Sequence, residues 1–258
     1  MISRTVSTTP AISVNSVSIP FHRLIDVETR KFFDTLVGQM LTVVTIVLAI
    51  GIMTGFAWFM EPTVQGVIMI SGAVLSILLP AMGILAVTSE WSHGTASTTF
   101  ALEPRRVRIV AAKLFPPVIA TALTCAVLVG VAFVIIGAVA AARGVAADWT
   151  FDPAATAGWF VVNVILVLSG VALGTLILNA PAAIIFVVTS AMAWSLIAVS
   201  STTGAAIASW LDIGTTTTAL LDGRATVDDL ERIAISITVW VLLPLIVGAV
   251  RVVRREVR

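Results

Sequence analysis

The segment Ser89–Lys113, SEWSHGTASTTFALEPRRVRIVAAK, places four basic residues and two carboxylates between two long apolar runs. Glu90, His93, Glu103, Arg105, Arg106, Arg108 and Lys113 are the side chains here able to form ion pairs. The chemistry open to them is electrostatic: contact with a partner polypeptide or with lipid phosphates. Bond-making chemistry lacks its groups. The chain has no HExxH, no GxSxG and no paired aspartates within an apolar run, and its two histidines, His22 and His93, both fall in polar segments. No GxxxxGK[ST] loop is present either, so the energy of a nucleotide would have to be supplied by another polypeptide. Ion-coupled transport usually relies on carboxylates inside the spans, and these are missing as well.

The elements that must position this segment are membrane helices. Of 258 residues, 59% are hydrophobic and 11% charged, too little polar surface for a soluble domain of this size. A hydrocarbon core of about 30 Å takes roughly 20 helical residues to cross. Six runs meet that length, near 36–59, 64–87, 114–142, 157–178, 182–200 and 233–250. The expected fold class is therefore an all-α membrane protein with six transmembrane helices. Twelve of the fifteen Lys and Arg residues fall on one alternating set of flanks, which by the positive-inside rule puts both termini and the 89–113 loop in the cytoplasm. Residues 1–20 have no continuous apolar core of a signal peptide and are expected to be a flexible cytoplasmic tail. Residues 251–258 form a basic one. A net charge of +1 gives no support for nucleic-acid binding. The lone Cys125 lies deep in an apolar run and reads as a small buried hydrophobe.

Before the first span, residues 21–35 put Phe21, Leu24, Ile25 and Phe32 on one helical stripe, continued by Leu36, as in an amphipathic helix lying along a leaflet. Glu28 interrupts that stripe, so its carboxylate either faces a protein partner or snorkels to water. On the outer side, 201–232 is expected to contain helix. Thr226 stands as an N-cap ahead of Asp228 and Asp229, and the chain around Ala205–Leu211 could be partly re-entrant. The turn Asn179–Ala180–Pro181 only reverses the chain. Within the spans Asn163 is the strongest polar group, either joining helices or lining a pathway, and Trp194 is the deepest indole. Gly51-x-x-x-Gly55 and Gly170-x-x-x-Gly174 are expected to let helices of the same chain approach closely.

At the 89–113 loop the sequence resembles the permease subunits of ABC-2-type transporters. Those permeases show a Glu closing the second span, a Gly–Thr pair, a Pro–Arg-type turn and a Lys opening the third span. Glu90, Gly94, Thr95, Pro104, Arg105, Arg106 and Lys113 follow in that order here. The upstream VETRKFFDT, residues 27–35, is similar to the family's Glu-x-Arg-Lys stretch in high-GC Gram-positive bacteria. The resemblance implies a type-V exporter-like transmembrane domain in a bacterial plasma membrane. It also implies a second permease copy, as a homodimer or related heterodimer, and two copies of a cytoplasmic ABC ATPase that hold ATP and Mg, with no cofactor on this chain. Glu90, His93, Gly94, Thr95, Pro104, Arg105 and Arg106 would form the coupling region, braced by Glu28, Arg30 and Lys31 from the amphipathic helix. A pathway without charges suits export of an apolar or amphipathic drug, lipid or peptide, and Asn163 and Trp194 are its candidate lining. The alternatives are an immunity or envelope-stress module and a membrane scaffold that moves nothing.

Overall fold

A computed structural model of the chain describes residues 20–60, 62–92 and 105–254. The described residues are helical apart from short connections, with one isolated bridge between Thr63 and Asp148. Among the described residues six helices are long and apolar enough to cross a membrane, and the chain is a multi-pass membrane protein. The sequence dictates this outcome because a backbone in hydrocarbon must satisfy its own hydrogen bonds.

Helix α1, Phe21–Asp34, stops where Thr35 turns extended. Thr35 then caps α2, Leu36–Phe59: its hydroxyl donates back to the Phe32 carbonyl at 3.0 Å and accepts the Gly38 amide at 3.3 Å. Leu36 thus belongs to α2 and is well exposed there, instead of continuing the apolar stripe of α1. Helix α3, Val64–Ser92, has Pro80 inside it. After the segment that lies outside the described residues come α4, Arg106–Ala112, and α5, Phe115–Arg143, which together make one spanning unit. Pro116 and Pro117 sit in the first turn of α5, where a missing amide costs little.

Helix α6, Pro153–Ile177, begins four residues before the expected Ala157, because Asp152 accepts the Ala154 and Ala155 amides at 2.8 and 3.1 Å and Pro153 opens the first turn. Helix α7, Ala180–Ser200, follows a tight reversal in which Leu178 is left-handed at φ 55° and Asn179 accepts the Ala182 amide. Three short helices then fold back: α8, Thr202–Leu211, α9, Ile213–Thr216, and α10, Thr218–Leu221. The expected cap at Thr226 is present as a full capping box with Asp229. It starts α11, Val227–Ile237, six residues ahead of the expected start of the last span. That helix runs on through a π-helical turn, Thr238–Leu242, into α12, Leu243–Arg254.

The bundle is built around α3 and α6. A Cβ on Gly83 would meet the Val167 carbonyl and one on Gly170 the Pro80 carbonyl, while Gly174 lies 3.0 Å from the Ile84 Cα by the same measure. Backbone therefore meets backbone along this pair, as small residues permit in membranes. Gly51 and Gly55 behave otherwise: a Cβ at either would meet nothing within 4 Å. The second glycine pair joins helices of the chain and the first does not. Leu75, Met82, Leu128, Ile136 and Trp159 fill the core, and Cys125 is buried among them.

Candidate functional site: a four-charge cluster at the head of the bundle

Three elements converge where α1 meets the end of α3 and the junction of α4 with α5. Each contributes charge. Glu28 and Lys31 lie one turn apart on α1, Glu90 closes α3, and Lys113 joins α4 to α5. The Lys113 ammonium is 2.6 Å from Glu28 Oε2 and 3.0 Å from Glu90 Oε1. Lys31 reaches Glu90 Oε1 at 2.6 Å and Glu28 Oε1 at 3.2 Å. Positive and negative groups alternate around a square, and the four formal charges sum to zero.

Burial makes this arrangement consequential. Glu28, Glu90 and Lys113 are 8, 9 and 6% exposed, so each charge has lost most of its water and depends on its neighbours. Lys31 is the open side of the square. Partial burial of its ammonium works against the charge, but its hydrogen bond to Glu90 and the charges of both carboxylates outweigh it, raising its pKa above the ordinary lysine value. Phe21 braces the junction by an edge-on contact with Phe115, ring centroids 6.2 Å apart.

The Glu28 carboxylate therefore points into the chain, towards Lys113. Arg30 sits on the exposed face of α1. Arg105 is exposed ahead of α4, and Arg106 turns to the last helix, donating to the Val252 carbonyl at 3.0 Å and the Val253 carbonyl at 3.4 Å. It thereby caps the C-terminus of α12, where a cation is favoured. An open groove of about 400 Å³ is lined by Arg105, Arg106, Val107 and Val253. Arg251 does for α6 what Arg106 does for α12, donating to the Leu176 carbonyl at 2.6 Å. His93, Gly94, Thr95 and Pro104 lie outside the described residues.

The two pathway candidates are far apart in character. Asn163 is 2% exposed and donates to the Trp159 carbonyl of its own helix at 2.9 Å. Trp194 is half-buried on α7 and meets Trp240 edge-on at 6.4 Å, and Phe186 meets Trp240 in a tilted contact at 6.3 Å. Trp240 also donates its indole N–H to the Leu211 carbonyl at 2.7 Å. The end of α8 is thus held against the last long helix, more than three turns from the start of that helix. Sequence reasoning missed Lys113 as a member of the square and Trp240 as the hub of an aromatic trio. The one signal that could have led to Lys113 was Glu28, a carboxylate on an apolar stripe, for which the sequence left a protein partner and water both open.

Fold and cluster together define a membrane protein with six long apolar helices among its described residues and a buried four-charge cluster at one end of the bundle. No protein-family model matches the chain, and no curated protein matches it.

Proposed function

We propose that the chain is the membrane-spanning permease subunit of an ATP-binding cassette exporter of the ABC-2 type. The observation that carries this reading is the square of Glu28, Lys31, Glu90 and Lys113, which ties a polar-faced helix to both ends of the loop that resembles a coupling element. A motor acting on residues 89–113 needs a stiff connection to the spans, and buried ion pairs between three elements supply one. ATP and Mg belong to a separate ATPase, two copies of which seat against the loops of two permease copies in a bacterial plasma membrane. Closure of the ATPase dimer presses on the loop, the square carries the displacement into α1, α3 and α5, and the spans open outward. An apolar or amphipathic cargo suits spans whose hydroxyls, such as those of Thr45, Thr121 and Thr175, are turned back onto their own helices.

The test is reconstitution with a candidate ABC ATPase, sought first in the reading frames that neighbour this gene. Wild-type chain is expected to form a stable complex and to change its ATP turnover, and Gly94→Pro and Glu90→Ala are expected to abolish that change. A chain that forms no complex, or variants that leave turnover as in wild type, would sink the coupling role and leave a scaffold.

A further inference from the structure

The cluster contains one residue whose position exceeds the role the loop motif gives it. Lys113 is the only cation of the square that is itself buried, with a side chain 7% exposed against 45% for Lys31. Its ammonium bridges carboxylates from two different elements, 85 and 23 residues away in sequence. Lys31, by contrast, makes one of its two contacts with Glu28 within its own helix. Glu28 therefore reaches the rest of the bundle through Lys113. The backbone around Lys113 suits this bridging position, because α4 ends there and α5 begins two residues later, so the side chain projects from a joint between helices.

Resting on the permease reading, we infer that Lys113 is a positioning residue: it latches α1 to the ends of α3 and α5 so that the three move as one body. Without it the two buried carboxylates share only Lys31, at the open edge of the cluster, and the tie from Glu28 to the joint of α4 and α5 is lost. α1 then undocks and a push on the loop no longer reaches it. With it, α1 is a strut of the bundle.

The experiment follows amide hydrogen exchange of α1 in the full chain in detergent, together with ATP turnover of the reconstituted complex. Lys113→Met is expected to speed exchange in α1 by about tenfold or more relative to the middle of α5, the signature of local opening. Lys113→Arg is expected to stay near wild type. Because a single variant strands buried charge and could fail to fold, the uncharged pair Glu28→Gln with Lys113→Met is measured beside it and is expected to fold and to open α1 as well. Inverting all four charges (E28K, K31E, E90K, K113E) keeps the alternation and is expected to restore protection. Wild-type protection in the uncharged pair, or no restoration on inversion in a chain whose α5 stays protected, overturns the inference. Should α1 open as expected while ATP turnover in the complex ignores every variant, the latch stands and the transporter reading falls.

Discussion

Single atoms account for much of how this chain responds to substitution. Trp159 is 2% exposed, yet its indole Nε1 has no acceptor, and Gly72 lies directly beside it: a Cβ there would sit 3.7 Å from that nitrogen. An unmet buried donor costs about 1–3 kcal/mol. Gly72→Ser puts a hydroxyl within reach, and thermal unfolding in detergent should show it more stable than Gly72→Ala by about 1 kcal/mol. Equal stability would mean that the serine oxygen never meets the indole. Lys31 makes a prediction in pH. Its folded pKa is raised, so its contribution is fully present below the unfolded lysine value and is lost as pH climbs through the higher folded one. The stability difference between wild type and Lys31→Met should hold steady through neutral pH and shrink only above the ordinary lysine range near 10.5. A difference that disappears near pH 7 would assign the effect to another group.

Between helices, the glycine contacts decide what can be changed. Gly170 is pressed against the Pro80 backbone, so even Gly170→Ala must push α3 and α6 apart, at about 1–3 kcal/mol for overpacking. Gly51→Ala meets open space and should be neutral or slightly stabilising in the same unfolding measurement. Reversal of that order would show that α3 and α6 are not the tight pair. Here the sequence was readable in part. Two glycines four apart mark a possible close approach, but only the facing helix determines whether one happens. Gly170 found Pro80, whereas Gly51 found nothing. Helix ends were more legible because caps act locally. Thr226 with Asp229 and Asn179 with the Ala182 amide are contacts over three residues. Asp152 and Pro153 carry the same local signal, and they extend α6 past the start that apolar content alone indicated.

Across the molecule, the charged links form a chain at one end of the bundle. The square joins α1, α3 and α5, Arg106 joins α4 to α12, and Arg251 joins α12 to α6. Apart from Lys31–Glu28 within α1, these partners are 23 to 147 residues apart, a separation at which periodicity and capping rules are silent. Positive charge at that end was visible in the sequence, but its use as internal fastening was not. Arg143 makes a counterpart at the opposite end, donating to the Ala57 and Met60 carbonyls at the close of α2. The proposed orientation rests on the Lys and Arg asymmetry of the sequence. On a Cys125→Ala background, a cysteine at Val27 should react with an impermeant thiol reagent only from the cytoplasm, and one at Val227, 81% exposed, only from outside. Labelling from the opposite sides would invert the topology and remove the loop from any cytoplasmic motor.

The π-helical turn at Thr238–Leu242 has a consequence for how this gene can vary. There the Leu243 amide reaches back five residues to the Thr238 carbonyl, so the last spanning helix holds one residue more than an α-helix of equal rise. Removing one residue from any other spanning helix would rotate everything beyond it by about 100° and strip its packing face. Removing Val239 would only tighten this turn into an α-helix, leaving Gly248 against Thr175 and Arg251 on Leu176. Among length variants of the spans, a shortened sixth helix should be the one that still folds, while the indole of Trp240 loses its register with Leu211.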